Sequence, residues 1–439
     1  MAAGTALILG VGLVPVSALV GVPVSGVARM TPAAAPARGM VAVDVAASAG
    51  IRDAHVRTWS AAPGDFNGDG AQDVLINYHG LADGRRGVGA KIWRNRGGGR
   101  YRWVARHAFP SENPQGRFID RHNCDWADVD RNGRTDVYCS AGRTESNVVK
   151  HARDNELWLQ GRRGRFREVG TAWGVGDPCG RGRVVTFLHA NRDRYPDLFV
   201  GNDEPRRVPD VCNRSAQLPS ERSKLFLNVG GNRFRRAPRF WNGHRPGQGA
   251  RCAEELDFNG DGWQDLFTCG HKGRPPRLYA NRSGHRFVDV TPSSLLRWPL
   301  TNAVVTDLDG DRDPDLVTSA WARFGYHLNN NGRFGPLRVI SPATGPGRGW
   351  SVAAGDADGD GDVDVYGMLE RGVRRNPDDQ IWLNDDLLFT PVRVPHAGGA
   401  ADDVVALRPR SNGRTHFLVL NGRKRFRSGP VQLIRIVSR

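Results

Sequence analysis

One nine-residue pattern, Asp-x-Asp/Asn-x-Asp/Asn-Gly-x-x-Asp, recurs along the chain and restricts its fold more than any other feature. It begins at Asp65, Asp128, Asp257, Asp307 and Asp356, and two eroded copies, from His189 and from Arg408, fill the gaps in the spacing. The seven starts lie 49 to 68 residues apart. Each copy runs into a short apolar stretch, such as Val74-Leu75-Ile76, Val137-Tyr138-Cys139 or Phe417-Leu418-Val419-Leu420, which reads as a strand. Most repeats then carry an aromatic-centred strand ending in a turn, as in Ile92-Trp93-Arg94-Asn95 or Leu225-Phe226-Leu227-Asn228, and often a further one such as Phe287-Val288-Asp289-Val290. Four strands per repeat, repeated seven times, predict an all-β fold, a seven-bladed β-propeller spanning residues 38–439.

The chain ends give an independent check on that count. Val43-Asp44-Val45 resembles the fourth strand Val288-Asp289-Val290 but precedes the first loop, so it is a fourth strand without a blade. At the other end Asp402 to Leu407, Phe417 to Leu420 and Val431 to Ile436 make three strands without a fourth. Pairing the two ends completes blade seven and removes the exposed sheet edges.

Residues 6–27 are uncharged and apolar, and Ala35-Pro36-Ala37 fits a small-residue cleavage site. Residues 1–37 are therefore expected to be an export signal, with an uncleaved membrane anchor as the alternative. Both place the rest of the chain outside the cytoplasm, and membrane association is expected only if this segment is retained. Six cysteines in an exported chain point to disulfides. Cys124 and Cys139 flank the second loop, and Cys252 and Cys269 the fourth, nearly symmetrically. That placement puts each pair side by side on antiparallel strands, within bridging distance. Cys179 and Cys212 flank the eroded third loop.

The loop chemistry is that of a hard cation. Oxygen ligands at positions 1, 3, 5 and 9 surround one point, and a glycine at position 6 lets the backbone turn back, which is how calcium is bound. An EF-hand requires Glu at position 12, where this chain has Ile76, Cys139, Thr268, Thr318 and Gly367. The flanks also read as strands. A single copy would be an ordinary Asp/Gly turn, whereas five in one strand context argue for metal. The expected ligands are Asp65, Asn67, Asp69 and Asp73; Asp128, Asp130, Asn132 and Asp136; Asp257, Asn259, Asp261 and Asp265; Asp307, Asp309, Asp311 and Asp315; and Asp356, Asp358, Asp360 and Asp364. About five calcium ions are expected. The His189 loop keeps Asn191, Asp193 and Asp197 but has Arg194 at the glycine position, and the Arg408 loop offers Arg408, Arg410, Asn412 and His416. Weak binding is expected in the former and none in the latter.

These loops, the aromatic-Asn strands and the Val-Asp-Val segments resemble the FG-GAP/VCBS repeats of integrin α-subunit propellers and of secreted cartilage acidic protein-like proteins, over about residues 41 to 439. The resemblance implies a calcium-binding propeller with the ligands named above. The fifth loop departs from it, with Arg312 in place of glycine.

The net charge is +16, almost wholly from 57 Arg against five Lys. Such a surface favours anions, although the arginines are scattered rather than gathered in one run, as on an ordinary solubilising surface. G-x-S-x-G, H-E-x-x-H and P-loop signatures are missing. The expected role is a secreted, monomeric, noncatalytic binding or adhesion module for an extracellular glycan, anionic cell-wall polymer or protein, with nucleic acid not an expected partner. An extracellular polysaccharide lyase or hydrolase is the alternative, since a propeller cleft can assemble acid and base groups from distant blades.

Overall fold

The computed structural model describes residues 39–53, 57–78, 89–104, 109–111, 119–142, 154–178, 180–202, 223–241, 249–270, 274–321, 323–342, 348–370, 378–395, 402–408, 413–422 and 429–439. The expected export segment therefore lies outside the described residues. The rest is seven four-stranded antiparallel sheets and one two-stranded hairpin, Asn329–Asn330 with Arg333–Phe334, inserted in blade five.

The first strands of the blades are Thr58–Gly64, Arg121–Ala127, Gly182–Leu188, Ala250–Leu256, Leu300–Thr306, Arg348–Ala354 and Asp403–Leu407. Each packs against the first strand of the next blade, and the seventh packs against the first, so they form a closed ring around a central channel. The ring is closed by strand pairing, because the N-terminal strand Met40–Asp44 pairs with Val431–Ser438 and supplies the fourth strand of blade seven. That strand begins three residues earlier than Val43 and stops at Asp44, whose carboxylate accepts the Ala46 N–H (3.0 Å) and turns the chain into the short helix Ala46–Ala49.

Among the described residues the core is divided. Most buried apolar side chains fall into seven clusters, one in each interface between neighbouring blades. A second strand is covered on both faces, which explains why its sequence is a continuous apolar run and not an alternating one. Val74, Leu75 and Ile76 are all fully buried. Two disulfides lie within blades two and four, Cys124–Cys139 and Cys252–Cys269 (Cα separations 4.1 and 4.9 Å). In each the two cysteines are directly opposed across the first and second strands, as expected from their spacing about the loops. Cys179 and Cys212 lie outside the described residues.

Candidate metal loops and the channel mouth

The acidic loops join the end of each first strand to the start of the second, so they all emerge at one end of the channel. Their backbones share one conformation. Position 6 has a positive φ in Gly70 (76°), Gly133 (78°), Gly262 (78°) and Gly361 (104°), and Arg312 adopts the same value (77°) without a glycine. The position-1 carboxylate caps the turn: Asp65 accepts the N–H groups of Gly68, Asp69 and Gly70, and Asp257 those of Asp261 and Gly262.

Three loops draw three carboxylates to within 4.8 Å of one another: Asp128, Asp130 and Asp136; Asp307, Asp309 and Asp311; Asp356, Asp358 and Asp360. Like charges so close are disfavoured unless a cation sits among them, and an all-oxygen donor set fits a hard divalent ion. In the loops from Asp65 and Asp257 no such grouping of three acids occurs among the described residues. There Asp69 pairs with Arg94 (3.2 Å), and Asp261 accepts from Asn259 Nδ2 (3.0 Å) and the Trp263 N–H (2.8 Å). In the eroded third loop Arg192 leaves its own turn and stacks on Trp263 of the neighbouring loop, 4.0 Å from the ring centroid. Arg410 and Asn412 of the seventh loop lie outside the described residues.

Position 9 has a second role that spacing alone does not reveal. Asp73, Asp136, Asp197, Asp265, Asp315 and Asp364 are fully buried. One oxygen of each accepts the N–H of position 2, and the other accepts a main-chain N–H at the end of the third strand, at 2.6–3.2 Å. Burial pushes the carboxyls of Asp73, Asp136, Asp197, Asp265 and Asp364 up to about 7, against the pull of these N–H groups. The residue donating that second N–H also reaches backward to the preceding blade. The side-chain amides of Gln160, Asn228, Asn281, Asn329 and Asn384 donate to the position-2 carbonyls of Phe66, Val129, Ala190, Phe258 and Leu308. The aromatic-Asn signature is thus a link between blades.

The other end of the channel is roughly 20 Å away, the length of a seven-residue strand. There the pairing of first and second strands skips one residue in six blades, at Trp59, His122, Arg183, Arg251, Thr301 and Trp350. A bulge of this kind re-aims the skipped side chain. Five of the six line a pocket of about 270 Å³ at the channel mouth, together with Ser60, Asn123, Asn302, Ser351, Asp402 and Asp403. Trp59 stacks on the His122 ring (centroids 4.6 Å apart), and Arg183 Nη1 lies 3.1 Å from His122 Nδ1. Arg251 lies over Trp350, 3.7 Å from the ring centroid. Gly142 makes the first arrangement possible, because a Cβ there would come within 2.0 Å of His122 Nε2.

A ring of seven four-stranded blades, each hung on a hairpin loop at one end of its channel, defines a repeat β-propeller. The family model described as an FG-GAP-like repeat matches residues 65–139, 257–318 and 319–367, so the propeller carries FG-GAP-like repeats in those segments. No curated protein matches its sequence. Among solved structures it is similar to an Agrocybe aegerita lectin that recognises non-reducing terminal N-acetylglucosamine (17% identity, TM-score 0.47, covering 78% of this chain and 80% of that one). It is also similar to BBS1N in complex with ARL6DN (12% identity, TM-score 0.48, covering 87% and 94%). A third is the extracellular domain of the putative one component system BT4673 from B. thetaiotaomicron (8% identity, TM-score 0.46, covering 90% and 40%). At these identities the likeness concerns the fold alone. Among the described residues no helix is long and apolar enough to cross a membrane.

Proposed function

We propose that this propeller is an extracellular, calcium-binding, noncatalytic module that binds a glycan, cell-wall polymer or protein at the channel mouth. The pocket carries the reading, because bulges in successive blades turn aromatic, cationic and amide groups toward one concave space, the usual form of a recognition site. An enzymatic reading would rest on His122, which lies 3.2 Å from Asp120. Both ring nitrogens are held by the scaffold, however: Nε2 faces Asp120 and Nδ1 faces the Gly182 carbonyl (3.0 Å). A general base needs an edge directed at substrate, and this ring has none.

The five intact loops would hold calcium through the carboxylates and Asn side chains named above. The ion would neutralise clustered like charges and tie each hairpin at the end of the channel opposite the pocket. Two disulfides fit maturation in an oxidising compartment.

Incubating the purified chain with a panel of polysaccharides, with calcium and with chelator, tests the whole reading. Saturable binding without new reducing ends or unsaturated sugar is expected, and product formation overturns it. Each site occupied at 100 times its dissociation constant adds about 2.7 kcal/mol to the folded state, so chelation is expected to lower the melting temperature. Calcium uptake that is undetectable by titration overturns the metal assignment. Asp356→Ala is expected to remove one ion from the stoichiometry.

A further inference from the structure

We infer that the channel mouth holds one ring of an uncharged polysaccharide, and that the chain runs outward from it across blade five. The inference rests on the binding-module reading and narrows it to one ligand class. Its first support is the balance of charge in the pocket. Arg183 and Arg251 share the lining with Asp402 and Asp403, so two formal positive charges meet two negative ones, and a ligand of either sign meets repulsion as well as attraction. These groups are also engaged within the protein. Arg183 Nη1 lies 3.1 Å from His122 Nδ1, and Arg251 stacks on Trp350. Asp402 Oδ2 accepts Thr58 Oγ1 (2.8 Å) and the Gly422 N–H (2.9 Å). Burial raises the Asp403 carboxyl to about 6, against the pull of its hydrogen-bond donors and of the Arg251 charge. The capacity left over is neutral. Asn302 lines the pocket half-buried, and its side-chain amide makes no hydrogen bond among the described residues. Asn123 gives its Oδ1 to the Val185 N–H (3.0 Å) and keeps its Nδ2 donors. A side-chain amide carries an acceptor and two donors, and a sugar hydroxyl both donates and accepts, so the two satisfy each other without taking a charge out of water.

The second support is the aromatic surface. Trp59 and Trp350 belong to the same lining, and an indole offers a large, flat, rigid apolar wall to the C–H face of a sugar ring. A pocket of about 270 Å³, just under the roughly 300–1,000 Å³ of drug-sized ligand sites, suits a single ring. The surface continues beyond the mouth. Ala320 of blade five presses on Gly349 of blade six so closely that a Cβ on Gly349 would lie 2.4 Å from the Ala320 carbonyl oxygen. The residues next along the chain, Trp321 and Trp350, are therefore neighbours across the blade boundary. Trp321 is 59% exposed, unusual for so large an indole. The pairing of Leu300 with Ala320 sets Trp298 at the same end of blade five, where it is 38% exposed. Indoles that recur outward from a neutral, amide-lined pocket suit a chain of uncharged rings.

The test is calorimetric titration with length ladders of neutral oligosaccharides from cellulose, mannan and poly-N-acetylglucosamine, of charged ones from polygalacturonate and polyglucosamine, and with an uncharged peptide, each at low and at high salt. Saturable binding of a neutral ladder is expected, unchanged by salt and at least about tenfold tighter (~1.4 kcal/mol) than that of either charged ladder. Asn302→Ala, which removes an amide the scaffold does not use, is expected to weaken every length by about fivefold, the loss of one net hydrogen bond, and to leave the melting temperature in place. Trp321→Ala, an exposed change, is expected to weaken long oligomers and spare the shortest. Preference for a charged ladder or for the peptide overturns the ligand class while leaving a binding module. Neutral binding that ignores Asn302→Ala puts the sugar elsewhere on the molecule, and neutral binding that ignores Trp321→Ala at every length removes the path across blade five; each overturns the inference. Failure of every ligand to bind overturns the module reading itself.

Discussion

Arg312 holds a left-handed backbone conformation (φ 77°) that four of the five intact loops assign to glycine. Its N–H still reaches Asp307 Oδ2 (3.1 Å), so the loop keeps its shape and the residue bears the strain. A left-handed conformation costs an L-residue roughly 1–2 kcal/mol, and glycine returns about half of that through unfolded-state entropy. Arg312→Gly is therefore expected to raise the urea midpoint, by up to about 1 kcal/mol in stability, and a lowered midpoint would remove the strain argument. Asp379 is a different case. Burial pushes its carboxyl up to about 7, while the Leu369 N–H and the Tyr366 hydroxyl donate to it. A folded-state value above the unfolded one of about 3.9 means that the contribution is fully present below pH 4 and is lost as pH rises through about 7. Asp379→Asn stays uncharged, so its denaturation midpoint is expected to fall less between pH 5 and pH 8 than that of the parent. Equal falls would show that Asp379 does not ionise in this range.

At the scale of the element, the hairpin loop serves two purposes that one sequence pattern conceals. Asp197 shows them separated. Its loop has lost the first carboxylate and the glycine, yet Asp197 still accepts the Ala190 and Asn228 N–H groups (3.0 and 2.9 Å), like its counterparts in the intact loops. Asp197→Ala would leave both donors buried and unpaired, at about 1–3 kcal/mol each. It is expected to destabilise the protein strongly, with or without calcium, while Asp193→Ala in the same loop changes little. A mild effect of Asp197→Ala would return position 9 to a purely metal-binding role. The same comparison explains what was legible in the sequence. Loops and second strands were legible because residue type repeats with position. The bulges were not, because Trp59, His122, Arg183, Arg251, Thr301 and Trp350 share a position and no chemistry. The Asn of the third strand was visible as a motif, but its role depends on the preceding blade, which strand periodicity does not encode.

Across the whole molecule the two ends of the channel divide the work, acidic hairpins at one and the Trp- and Arg-lined mouth at the other. The ring that separates them is held by interfaces of one kind, and blade seven alone is assembled from both ends of the chain. Removing residues 1–45 is expected to bare the Val431–Ser438 edge and to produce aggregation or a lower melting temperature. A truncated chain as stable and monomeric as the parent would deny the closing strand its role. That strand also sets an order of events. Asp44 is made early and Leu433 about 390 residues later, and the hydrogen bond between them spans 389 positions. At about 5–20 residues per second, roughly 20–80 s separate the two partners during synthesis. Throughout that interval the strand at the head of the nascent chain lacks its partner strand. Its exposure to proteases and to other chains is governed by the clock of the ribosome, and ends only when the last eight residues of the propeller arrive.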